Sequence, residues 1–129
     1  MIDVQFGDAC QITADSVEVP GVCPQHVETV KDFDVSSFGH GVWYELARTP
    51  HIAEKDGHCS YAKYTPAANG FHVANYHVEN GELKLIEGYA KAAHEPGKMI
   101  HSLPYGAHGH ITNNVLNVLA TNNKNYAVL

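Results

Sequence analysis

From Val42 onward, apolar and polar residues alternate in short runs, 42–48, 59–65, 70–78, 82–92, 98–105, 115–121 and 125–129, each ended by a turn signal. Alternation with period two places successive side chains on opposite faces of a strand, so these runs predict half-buried antiparallel strands. Asn80-Gly81 is the sharpest separator, because a tight primed turn needs positive φ at both central residues, and it predicts a hairpin between the third and fourth runs. No stretch longer than about two turns keeps a 3.6-residue period. Strands at roughly 8–12-residue spacing predict an all-β sandwich or barrel. Residues 3–26 carry Pro20, Gly21 and Pro24 and hold no period, which predicts an extended surface arm at 1–26 ahead of strands at 27–129 in one domain.

The faces of two runs bear on what the sheet encloses. Phe71, Val73, Asn75 and His77 share one face of the third run, and His72, Ala74, Tyr76 and Val78 share the other. Both faces mix polar and apolar groups, as does the row Met99, His101, Leu103 and Tyr105. Such a mixture suits a wall lining a cavity with a few polar groups among apolar ones. It equally suits Asn75, His77 and His101 as ordinary surface polar residues.

Composition narrows the function classes. The chain has 129 residues, enough for one globular domain, and a net charge of −6, which disfavours nucleic acid and anionic membrane surfaces as partners. No apolar run approaches the ~20 residues of a membrane-spanning helix. Residues 1–20 lack the basic start and apolar core of a signal peptide. There is no G-x-S-x-G, phosphate loop, H-E-x-x-H or EF-hand, so the chain is not read as an enzyme. Ten histidines are the compositional outlier. His108 and His110 have a spacing that fits two metal ligands, but without a disciplined third ligand they read as solvated side chains of a glycine-rich loop. Cys10, Cys23 and Cys59 are odd in number and match no zinc pattern.

Residues 32–48, with Gly41-Val42-Trp43 at their centre, resemble the first conserved region of the lipocalins. Cys23-Pro24 precedes this segment, and residues 57–66 follow at the family's spacing. Residues 73–78, Ile86-Glu87-Gly88 and 115–127 resemble the bilin-binding branch found in insects. The resemblance covers roughly 20–129 and implies an up-and-down antiparallel barrel, a calyx, holding one small hydrophobic ligand without covalent attachment. For this branch the ligand is biliverdin or a related bilin, held for coloration, storage or transport in a secreted, extracellular protein. Taken with the face pattern, it points to Val73, Asn75, His77, Ile86, His101, Leu103, Tyr105, Leu116 and Val118 as ligand contacts, with His51 in the loop at the mouth. Gly41, Trp43, Tyr44 and Thr121 take structural roles, with the Trp plugging the closed end. A carotenoid, retinoid or fatty-acid carrier is the alternative on the same fold.

The chain departs from the family pattern in three ways. Thr121-Asn122-Asn123 stands where Thr-Asp-Tyr is usual. The chain ends at Leu129 within the expected seventh strand, which predicts an open sheet edge completed by a second chain or a homo-oligomer, or an interaction protein built on that edge. In the resembled proteins Cys23 and Cys59 pair with C-terminal cysteines that are absent here, leaving their pairing open, with Cys10 or another chain as partner.

Overall fold

The computed structural model describes residues 2–4, 12–13, 20–48 and 57–129. Ten strands form one sheet, β1 Ile2–Val4, β2 Ile12–Thr13, β3 Gly41–Arg48, β4 His58–Ala67, β5 Gly70–Glu79, β6 Glu82–Ala92, β7 Lys98–Leu103, β8 Thr112–Asn117, β9 Ala120–Thr121 and β10 Tyr126–Val128. The neighbours run β8-β7-β6-β5-β4-β3-β1-β10-β9, antiparallel throughout, with β2 added parallel to β3. β8 and β9 lie two residues apart in the chain, so one stretch of backbone carries both ends of this order. The result is a curled up-and-down sheet.

The expected hairpin is present. Asn80 and Gly81 have φ of 52° and 77°, and β5 and β6 pair from Gly70↔Lys91 to Glu79↔Glu82 without a register shift. Gly41, with φ of 89°, lets the chain enter β3 from the short helix α1, Val35–Phe38. That single turn is capped by Asp34, whose carboxylate accepts from the backbone N–H of Ser36 at 3.0 Å and from the Ser37 hydroxyl at 2.7 Å. These bonds, the Ser37 hydroxyl first, hold the Asp34 carboxyl below its usual range.

The turn delivers Phe38 into the closed end of the sheet. Its ring lies 4.9 Å from Trp43, 5.9 Å from Tyr64 and 6.0 Å from Phe71, and Tyr64 meets Phe71 at 4.5 Å. Phe38, Trp43 and Phe71 are at most 1% exposed, and the Trp43 indole N–H donates to the Phe38 carbonyl at 3.0 Å. Trp43 therefore fills the closed end with its one polar atom satisfied, as its sequence position predicts.

Several elements differ from the sequence expectation. The run 115–121 is two strands, with Val118 at the break. There the Val118 N–H donates to Gly97 O at 2.8 Å and its carbonyl accepts from Val30 N–H at 3.0 Å, while the Leu119 N–H has already turned to Val128 O. β7 stops at Leu103, because Pro104 has no N–H to continue the ladder. The arm is not wholly irregular. β1 pairs with β10 from Ile2↔Val128 to Val4↔Tyr126 and with β3 at Ala47 and Glu45. The edge expected to stand open is thus occupied by the chain's own N-terminal segment.

The arm's later residues fasten to the closed end. The Thr29 hydroxyl donates to Pro96 O at 2.6 Å. Asn123, with φ of 65°, accepts from Asp34 N–H at 2.9 Å and donates to Asp32 O at 2.8 Å. The neighbouring Asn122 side-chain oxygen Oδ1 accepts from the Asn125 N–H at 2.8 Å and the Lys124 N–H at 3.1 Å. The departure at Thr121-Asn122-Asn123 therefore keeps a working turn. Thr121 supports it by donating to Tyr126 O and accepting from Asn123 N–H.

Candidate calyx

The inner face follows from alternation and register. On β5, Phe71, Val73, Asn75 and His77 share the face that Tyr64 and Ala62 present from β4 and that Ala90, Gly88 and Ile86 present from β6. On β7, Met99, His101 and Leu103 continue it, His101 standing between Ala90 on one side and Asn114 on the other. Val73 and Leu103 belong to the buried core, at 0% and 2% exposure, and Ile86, Tyr105 and Leu116 pack partly buried against that core. These sequence-selected residues are brought together on one surface. Val118 is buried at the β8–β9 break, outside that cluster, and His51 lies outside the described residues.

The polar members divide by how they are satisfied. The Asn75 side-chain amide donates to the Tyr105 hydroxyl at 3.1 Å, joining β5 to the segment after β7. His77, only 2% exposed, sets Nε2 3.3 Å from the Glu79 carboxylate. His101 is largely buried, and its Nε2 has neither solvent nor a hydrogen-bond partner. Burial alone lowers its pKa to about 4, so the ring is neutral at physiological pH.

Besides Thr29, three buried polar residues among those described were not singled out in the sequence. Glu45 sits two places after Trp43 on the same face, 3.4 Å from Arg48, with both side chains less than a tenth exposed. Arg48 also donates to Gly57 O at 3.0 Å. Ser60 is buried on β4. Alternation from Trp43 would have placed Glu45 inside, but a lone acidic residue in a strand gives no sign that an arginine three places on will be buried with it.

The outer face carries a separate feature. Tyr61 stacks on Tyr76 at 4.8 Å and 11°, and Tyr44 stands 6.1 Å from Tyr61, a cross-strand aromatic row over β3, β4 and β5. Tyr44 therefore supports the sheet from outside. His108 has a left-handed backbone, φ 56°, in a 3-10 turn at Ala107–Gly109. Among the described residues no three His, Cys, Asp or Glu side chains converge as metal ligands. None of the helices there is long and apolar enough to cross a membrane.

Comparison with known proteins matches this geometry. A family model for the lipocalin-like domain matches residues 33–127. The chain is 44% identical over 110 residues to the bilin-binding protein of Pieris brassicae, covering 84% of this chain and 56% of that protein. It is 37% identical over 114 residues to insecticyanin-A of Manduca sexta, covering 84% of this chain and 58% of that protein. The chain thus spans less than two thirds of the length of these relatives. The solved structure of Manduca sexta insecticyanin superposes with a TM-score of 0.72 at 35% identity, over 94% of this chain and 60% of that one. With a calyx wall, a Trp-plugged closed end and a family match across most of its length, the chain belongs to the lipocalin-like family.

Proposed function

We propose that the chain binds a linear tetrapyrrole of the biliverdin type, non-covalently, on the inner face of its curled sheet, as an extracellular pigment carrier and not as an enzyme. The carrying observation is the composition of that face. Val73, Ile86, Leu103 and Leu116 offer apolar contact, while Asn75 with Tyr105, His77 and His101 place a few polar groups among them. A bilin needs both kinds of surface, because its rings are apolar while its pyrrole, lactam and propionate groups lose water on burial and require partners. The relative that matches at 44% identity is itself named for binding a bilin. Val73, Asn75, His77, Ile86, His101, Leu103, Tyr105 and Leu116 are the contacts on this reading, with Val118 at the periphery.

The extracellular part of this reading rests on the resemblance to the bilin-binding branch. Cys23 is exposed with a free thiol, and a disulfide at Cys59 would suit the oxidising compartment that a secreted carrier occupies. The test of the reading is a titration of the purified chain with biliverdin, followed by visible absorption and induced circular dichroism, beside parallel titrations with retinol, a carotenoid and oleate. A saturable one-to-one signal with biliverdin, and weaker binding of the others, is expected. A folded chain that binds retinol or oleate and ignores biliverdin would replace the bilin with that ligand class.

A further inference from the structure

Several polar groups of the inner face and its closed end meet partners within the fold. The Trp43 indole meets the Phe38 carbonyl, Asn75 meets Tyr105, and His77 meets Glu79. His101 stands between Met99 and Leu103, which are 0% and 2% exposed, and its Nε2 is sealed from water with nothing to bond. Its direct neighbours across the sheet are Ala90 on β6 and Asn114 on β8, and the Asn114 amide is directed to the Thr112 hydroxyl at 3.0 Å. A buried polar atom without a partner is a cost to folding that a leucine here would avoid. Such a cost is understandable where a ligand supplies the missing partner. The neutral ring offers one N–H donor and one acceptor, so it accommodates either polarity by choice of tautomer.

We propose that His101 is a ligand-positioning residue whose Nε2 hydrogen-bonds a polar atom carried along the length of an otherwise apolar ligand. This rests on the bilin reading and sharpens it. A fatty acid or retinoid is polar at one end only. A linear tetrapyrrole carries nitrogen atoms and lactam oxygens along its whole length, so one of them can reach an imidazole set between Met99 and Leu103 while the flanking rings keep apolar contact.

The experiment uses His101→Leu, His101→Gln and the unaltered chain labelled with 15N in its histidines. Biliverdin is expected to bind H101L about tenfold more weakly than the unaltered chain, the loss of one hydrogen bond in a dry site. The visible band should shift, and H101Q should recover part of the affinity. A purely structural role would instead change the unfolding midpoint and leave the band of the bound pigment in place. If H101L folds and binds biliverdin with unchanged affinity and spectrum, the role assigned to His101 is overturned while the bilin reading stands. If the unaltered chain ignores biliverdin but binds retinol or oleate, the bilin reading fails, and the mid-length contact assigned to His101 fails with it. If no probe moves that resonance, the positioning role is wrong. The labelled chain keeps the test open should H101L not fold.

Discussion

Along β5 the same strand builds two different surfaces. Near the β4–β5 turn, Phe71 and Val73 lie in a closed aromatic cluster with Phe38, Trp43 and Tyr64, where the Trp43 N–H is satisfied. Two and four residues further along, Asn75 and His77 continue the same face with polar groups. His101, on β7, joins them with a nitrogen left without a bond. The difference teaches that the closed end is built for stability, while the polar wall is the part the proposed ligand would use. Substitutions in the first should lower stability, and substitutions in the second should lower affinity at little cost to the fold.

The largest effect should come from the closed end. Phe71→Ala removes a fully buried ring from contact with Phe38 and Tyr64. It should lower unfolding free energy by about 3–5 kcal/mol in urea titration. A loss below about 1 kcal/mol would mean that the cluster is not the core.

Acidification should expose the polar wall. The unfolded His101 imidazole takes up a proton near its ordinary value of 6.5, whereas the buried ring resists protonation until about 4. Above pH 6.5 the ring is neutral folded or unfolded; as pH falls from 6.5 toward 4 the unfolded chain alone gains the proton, and the fold loses up to about 3 kcal/mol. Urea midpoints of the unaltered chain and H101Q, compared across that window, should diverge with the unaltered chain falling faster. Parallel curves would show that His101 is solvated.

A smaller effect is expected where the N-terminal segment is paired. Replacing Ile2, Asp3 and Val4 together by proline removes every N–H by which β1 can bond to β3 and β10. Amide exchange at Glu45, Ala47 and residues 126–128 should accelerate, with a stability loss of about 1–2 kcal/mol. Unchanged protection would mean that the segment contributes no ladder. Asn123→Ala should cost about 1 kcal/mol, because it frees the arm at Asp32 and Asp34. Smallest in stability is Tyr105→Phe. It breaks the bond to Asn75 and should shift the unfolding midpoint slightly while weakening biliverdin binding.

These contrasts also show what the sequence could reveal. Alternation of Phe71, Val73, Asn75 and His77, and the Asn80-Gly81 turn, placed the inner face and the principal hairpin, because period and turn chemistry are local. The split of the 115–121 run was hidden, since it depends on Val118 being bonded to Gly97 and Val30, far away in sequence. The pairing of β1 between β3 and β10 was hidden for the same reason. Three residues carry too short a pattern to mark a strand, and only the free edges of both neighbours make them one. The isolation of the His101 nitrogen was invisible as well, because it depends on what its neighbours lack.

The most direct measurement uses the one tryptophan. Trp43 sits at the closed end of the proposed calyx, and a bilin absorbs in the near ultraviolet where tryptophan emits. Titration with biliverdin should quench Trp43 emission, saturating at one equivalent, with induced circular dichroism in the visible band rising in step. A folded chain whose Trp43 emission stays constant, or declines without saturation, would contradict a bilin-binding calyx.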